Sequence, residues 1–254
     1  MQSKGPGDYG TRGLRECGGG GISDFRRGFT LIELLVVIAV MGILAALIFP
    51  VTRAVSRNKV RSRTRTEMEQ VATAIEIYKA KRGHYPPDNV NPLTKAANPS
   101  TNQLYYELVG TTNWPGPNQT TVYQTSDGRS QITSSAISSA FGPGVSGFVN
   151  SSSGGGGEEG STVVNCLKSG LQASQVADLG TTGIKVLVGS VPLPPNLAGV
   201  YPGTAAGGYC AWRYVSSNPT NNPNSYDLWI DVVLDGKTNR ICNWSRSAVI
   251  VGTP

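Results

Sequence analysis

The chain has 254 residues, 39% of them hydrophobic and 15% charged, with a net charge of +6 at pH 7 and a pI near 9.2. That length holds one domain of ordinary size besides a membrane helix, and the basic balance admits nucleic acid or an acidic membrane as partner. A single histidine, four cysteines without a CxxC pair, no Gly-x-Ser-x-Gly elbow and no Walker-type loop argue against a zinc centre, a serine hydrolase and a nucleotide-driven motor.

Residues 1–28 read as a cytoplasmic leader. Lys4, Arg12, Arg15, Arg26 and Arg27 make it basic, and the glycines 18–21 argue against a fold. Arg26 and Arg27 abut an apolar run, which favours an N-terminus kept inside. A secretory signal would show a shorter apolar core and a small-residue cut site after it. Ala45-Ala46 imitates such a site, but the apolar run continues to Phe49.

From Phe29 to Phe49 there are 21 residues and one charge, Glu33. At about 1.5 Å per residue this is about 31 Å of helix, the thickness of a hydrocarbon core. Fourteen of these residues are Leu, Ile, Val or Phe. They favour insertion by about 4 to 8 kcal/mol, against about 3 kcal/mol for a carboxylate at mid-membrane. The segment therefore inserts, and Glu33 needs a reason. An intramembrane carboxylate is usually paired or functional; the plain alternative is that it snorkels to the headgroups. Gly42 weakens the helix, and Pro50 removes a donor and predicts a kink or local melt.

Residues 51–82 continue as helix. Val60, Thr64, Met68, Val71, Ile75 and Tyr78 recur at helical spacing and define a face for burial against a sheet. Gly83 stands where a C-cap belongs, after Lys79, Lys81 and Arg82 and before Pro86-Pro87. The first half of this stretch carries Arg53, Arg57, Lys59, Arg61, Arg63 and Arg65, with no acid until Glu67. Three readings compete: a collar near anionic headgroups, a contact with acidic residues of neighbouring subunits, and DNA held through its backbone charge. His84 reads as an exposed turn residue.

Residues 83–254 form the head. A short helix is expected over 101–108, with Leu104, Tyr105 and Leu108 on one side. Residues 113–160 are poor in large aliphatics and read as a low-complexity surface insertion. Its 151–157 stretch is flexible, and Glu158-Glu159 read as solvated acids. A helix is expected over 161–179 and a strand over 183–188, broken by Pro192. Tyr226, Leu228, Ile230, Val232 and Leu234 alternate with Asp227, Trp229, Asp231, Val233 and Asp235, the pattern of a half-buried strand with an exposed acidic stripe. Asp235-Gly236 opens a turn, 239–244 returns, and 209–215 supplies another strand. The fold class is α+β, a long N-terminal helix packed on a C-terminal antiparallel sheet.

The order Gly28-Phe29-Thr30-Leu31-Ile32-Glu33, with the unbroken apolar run after it, resembles the N-terminal signature of type IV pilins and type II secretion pseudopilins. Tyr-Asp-Leu-Trp at 226–229 is similar to a segment late in the major pseudopilins. The resemblance implies a pilin fold in four parts: leader 1–28, assembly helix 29–50, its soluble half 51–82, and head 83–254. It implies a cut between Gly28 and Phe29 by a prepilin peptidase and N-methylation of Phe29. Glu33 would pair with the Phe29 ammonium of a neighbouring copy. Gly42 and Pro50 fall where the family weakens its helix.

The implied protein is a filament subunit, not an enzyme. It sits in the inner membrane with its head in the periplasm and works with an assembly platform and a separate ATPase. The alternative is a pilus or DNA-uptake minor pilin binding DNA through its basic stretch. No cofactor is expected beyond the calcium that major pseudopilins carry in a C-terminal loop. Asp227, Asp231 and Asp235 invite that reading, although four-residue spacing on a strand puts them about 13 Å apart. Cys17 lies in the leader. Cys166, Cys210 and Cys242 allow one disulfide in an oxidising compartment. If 209–215 and 239–244 flank the central strand, Cys210 and Cys242 are too far apart to bridge, which favours Cys166 with either.

Overall fold

The structure is a computed structural model that describes residues 28–153, 162–167, 173–180, 183–197 and 208–253, with only the backbone described at 47–53. The leader, Cys17, Glu158-Glu159 and the side chains of Phe49, Pro50 and Arg53 lie outside the described residues.

Helix α1 spans Leu31–Arg82, and its assignment runs through Gly42 and Pro50 without a break. The local melt anticipated at Pro50 is not seen in the backbone. The chain divides into two compact units, Met1–Pro50 and Val51–Pro254. In the first, the described residues are the apolar part of α1 and the three residues before it.

In the second unit, the remainder of α1 ends at Gly83, whose φ of +82° is open to glycine and whose N–H reaches the Lys79 carbonyl at 2.8 Å. The predicted face is the buried one: Thr64, Met68, Val71, Ile75 and Tyr78 are all buried, and Val60 half-buried. Glu67 and Ala74 join them.

Helix α2 (Leu104–Val109) starts three residues later than anticipated, and all six of its residues are buried. Among the described residues, eleven strands follow in three sheets. The first holds β1 (Thr111–Pro115), β2 (Thr121–Thr125), β3 (Gln131–Thr133) and β4 (Ser151–Ser153), in the order β3-β2-β1-β4. The β1–β4 pair is parallel, the other pairs antiparallel. Helix α3 (Ser134–Phe141) follows β3, capped by Thr133, whose hydroxyl accepts the Ala136 N–H.

The reading of 113–160 as a surface insertion is therefore corrected for its described part. Val122, Ile132, Ile137, Phe141, Val145 and Phe148 are buried, and Phe148 stacks on Tyr106 with ring centroids 4.6 Å apart. Few apolar residues suffice because most of the large ones are buried, Val149 excepted. The buried Asn150 adds a polar anchor. Its amide donates to the Glu107 and Val164 carbonyls at 2.7 and 2.6 Å, and its Oδ1 accepts from Arg82 at 2.6 Å.

The helix expected over 161–179 is also corrected. The described residues give an extended segment and a turn at 162–167, a 3-10 turn at Ala173–Gln175 and strand β5 (Val176–Asp178). Val163-Val164 and Val176 favour extended backbone over helix. β6 (Lys185–Pro192) pairs with β5 and with β7 (Tyr209–Ala211). The strand anticipated at 209–215 divides at Trp212, and β8 (Arg213–Val215) joins the third sheet. That sheet runs β11-β10-β9-β8 and is antiparallel, with β9 (Asp227–Leu234), β10 (Lys237–Cys242) and β11 (Val249–Gly252). Asp235 and Gly236, both at positive φ, make the two-residue turn between β9 and β10.

The buried face of α1, α2, the inward side of β6 and Leu228, Ile230 and Val232 of β9 belong to one hydrophobic cluster. Gly189 lets β6 approach it: a Cβ there would lie 2.6 Å from Ile230 Cδ1.

Candidate functional site at the start of the long helix

Thr30 precedes the first helical residue, and Glu33 is the third residue of the helix. The Glu33 Oε2 accepts from the Thr30 N–H at 2.8 Å and from the Thr30 hydroxyl at 2.9 Å, while Thr30 Oγ1 accepts the Glu33 N–H at 3.3 Å. This is a capping box, which satisfies donors at the helix start reciprocally. It also lowers the cost of the carboxylate in an apolar segment, because each donor replaces a lost water. The Thr-x-x-Glu spacing was available in the sequence as the signal for it. Both donors meet the same oxygen, so Oε1 retains acceptor capacity for a cation. Phe29, the residue before this box, is 83% exposed.

The helix that follows is apolar all round. Leu31, Ile32, Leu34, Leu35, Val36, Val37, Ile38, Val40, Met41, Ile43 and Leu44 are all exposed. They occupy every direction about the axis, so no single amphipathic stripe explains them. A helix apolar on all sides belongs in a large core or in a membrane. Among the described residues no helix is long and apolar enough to cross a membrane. The described side chains of this run stop at Ala46, and 16 residues of helix span about 24 Å. The sequence continues apolar to Phe49.

Among the described residues of the basic stretch, Arg57, Arg61, Arg63 and Arg65 are engaged within their own chain, an arrangement absent from the three sequence readings. Arg57 pairs with Asp235 at 3.1 Å and Arg61 donates to Asn239 Oδ1 at 2.7 Å. Arg63 pairs with the buried Glu67 at 3.1 Å. Arg65 donates to the Cys242 and Ser245 carbonyls at 3.1 and 2.5 Å. Glu67 also accepts from the Ser190 N–H at 3.0 Å and from its hydroxyl. The arginines fasten α1 to the β9–β10 turn, β10 and the segment after it, and Glu67 fastens it to β6. Lys59 is exposed.

The exposed acidic stripe of β9 is corrected: Asp227 and Asp231 are buried, at 3% and 4%. Pleat alternation does turn them away from Leu228 and Ile230, but that second face is covered. Asp227 Oδ2 accepts from the Thr220 and Asn221 amides and the Asn221 side chain, each at 2.9 Å; Oδ1 accepts the Asn222 N–H. Asp231 lies directly opposite Arg240 on β10. Arg240 grips it with two bonds of 2.8 and 3.0 Å, and Arg213 of β8 adds a third at 2.6 Å. Asp235 alone of the three is well exposed, and it pairs with Arg57. Among the described residues no three His, Cys, Asp or Glu side chains come together as a metal site.

His84 is exposed beside Gly83, as its sequence suggested. Cys166, Cys210 and Cys242 are buried and free, so the anticipated bridge through Cys166 is corrected. β8 and β10 flank β9, but Cys210 lies on β7, which pairs with β6, so Cys210 and Cys242 stand in different sheets. Burial raises all three thiols, Cys210 to about 12.

Residues 25–49 match the family described as "Prokaryotic N-terminal methylation motif". The chain is 33% identical over 67 residues to the type II secretion system core protein G of Escherichia coli (strain K12), covering 26% of this chain and 46% of that one. It is 30% identical over 82 residues to the core protein G of Pectobacterium carotovorum subsp. carotovorum, 32% of this chain and 46% of that one. It is 45% identical over 56 residues to the type IV major fimbrial protein FimA of Dichelobacter nodosus, 22% of this chain and 35% of that one. The matched stretch is thus less than half the length of these curated relatives. No solved structure matches.

Proposed function

We propose that this pilin- and pseudopilin-like chain is a structural subunit of a type II secretion pseudopilus. The observation that carries the proposal is the opening of α1: a cappable carboxylate, Glu33, at the edge of a helix apolar on every side. A prepilin peptidase cuts after Gly28 and the new N-terminus of Phe29 is methylated. The subunit waits in the inner membrane, its N-terminus first cytoplasmic and its head periplasmic. It then enters a helical filament in which copies of the α1 apolar segment pack together. Van der Waals packing holds such helices in an apolar medium.

Cleavage creates an ammonium one residue before the amide that Glu33 already accepts. The remaining capacity of Oε1 suits the ammonium of a neighbouring copy, and an unmatched charge penalises wrong register. Chemistry at this chain is not part of the role; a separate ATPase supplies the work through the assembly platform. The DNA-uptake reading gains no support from the basic stretch, because Arg57, Arg61 and Arg65 contact the chain's own head and Arg63 pairs with Glu67 of α1.

Mass spectrometry of the protein purified from its host membrane tests the proposal. The expected N-terminus is N-methyl-Phe29. An intact Met1, or a cut near Ala46, would sink it.

A further inference from the structure

We infer that the head carries an oxyanion site for a phosphate group, free or borne on a lipid headgroup, formed by Arg61, Arg65 and Arg246. These three arginines line one surface cavity of about 350 Å³, together with Ser62, Ser247 and Ile241. Two come from α1, one turn apart. Arg246 comes from the segment between β10 and β11, so only the fold brings it to the others.

Arg65 holds that segment in place: one of its nitrogens, Nη1, donates to both the Cys242 and Ser245 carbonyls, and Arg246 is the next residue. Arg65 is thus a positioning residue as well as a charge. Arg61 donates to a neutral acceptor, Asn239 Oδ1, and its Nε is buried with no hydrogen-bond partner. A buried donor of a charged group without an acceptor is costly and marks a group whose charge is not compensated. Among the described residues, the one carboxylate that pairs with any of the three guanidiniums is Glu69, 3.6 Å from Arg65 and itself exposed. The cavity therefore carries an excess of positive charge.

Guanidinium forks match the oxygens of phosphate, and the two serine hydroxyls add neutral donors. A carboxylate from solvent would satisfy only one fork, whereas a tetrahedral group offers oxygens in three directions. This inference stands apart from the filament reading, since it concerns residues of the second unit alone.

The test is calorimetric titration of the full chain in a neutral detergent with two probes. One is inorganic phosphate; the other is glycerophosphoglycerol, the headgroup of phosphatidylglycerol. Binding is expected to weaken about tenfold in Arg246→Gln and in Arg61→Gln, the loss of one charge-assisted contact. Lys237→Gln, which removes an exposed cation from the same sheet, is expected to leave it unchanged. Binding of phosphate alone assigns the site to the free anion; binding of both, each weakened about tenfold in Arg246→Gln, assigns it to a lipid headgroup. Circular dichroism confirms the fold of each variant, and Arg246 is exposed, so its loss is compatible with folding. The site is overturned if neither probe binds, if folded Arg246→Gln binds as the parent does, or if Lys237→Gln weakens binding equally.

Discussion

At the scale of single residues, buried charge decides most of the chemistry of the head. Asp231 is shared between Arg213 and Arg240, and Arg213 is itself 12% exposed at its side chain. Removing one member of a buried pair costs about 3–5 kcal/mol, because the other charge stays desolvated. Arg240 is a third exposed and can turn to water, so Asp231→Asn is expected to cost about 3 kcal/mol. Urea unfolding followed by tryptophan fluorescence measures this; a loss below about 1 kcal/mol would mean that the pair is held by its surroundings alone. Glu107 is the second case. Burial pushes its carboxyl above the ordinary range, opposed by donation from the Val149 and Asn150 amides and the Tyr78 hydroxyl. A raised acid binds its proton more tightly in the folded state, so its contribution is largest at low pH. It falls as pH rises through the unfolded value of about 4.3 toward the folded one. The stability of the parent relative to Glu107→Gln should therefore decline as pH is raised above about 4. A flat difference across that window would contradict the assignment.

At the scale of elements, α1 changes its manner of burial along its length. Before Pro50 its described apolar side chains are exposed; beyond Val60, Met68, Val71, Ala74, Ile75 and Tyr78 form one buried face, while Ile77 stays exposed. Ile75, wholly buried in the central cluster, tests that second part. Ile75→Ala is expected to cost about 2–5 kcal/mol, the lost transfer energy plus a cavity. The measurement is the shift of the urea midpoint, and no shift would mean that the face is not packed. The periodicity that marks this face was legible in sequence, because a 3.6-residue repeat needs only its own spacing. The 113–153 region was not legible in the same way. Its strands are short and rich in Ser, Thr and Gly, and their burial depends on Tyr106 and on Asn150, which is bonded to Glu107 and Arg82. No local pattern reports partners distant in sequence.

At the scale of the whole molecule, the filament role proposed for Glu33 and the folding of the head call on separate residues. Glu33 contacts Thr30, one turn away, and belongs to the first compact unit. Glu33→Ala is expected to leave the head's circular dichroism and unfolding midpoint unchanged while abolishing filaments, counted by electron microscopy of cells that overproduce the subunit. Filaments at parental number and length would contradict the role given to Glu33. Loss of head stability would show instead that the two units are coupled.

The sequence by itself determined the apolar helix, its lone carboxylate, the capping pattern around it and the stripe from Val60 to Tyr78. Each is a matter of composition or spacing along one segment, and local physics suffices to read it. Only the tertiary structure decided where charge is paired. The arginines after Pro50 read as free for headgroups, neighbouring subunits or DNA, and the aspartates of β9 as an exposed stripe, since sequence shows charges and not their coverings. Folding places Asp235 at the turn beside Arg57, Asn239 on β10 against Arg61, and Arg213 and Arg240 on the strands either side of Asp231. The Asp231–Arg240 pairing follows from the short turn at Asp235-Gly236, but the approach of Arg213 on β8 and of the α1 arginines depends on elements distant in sequence and cannot be read from any one stretch of chain.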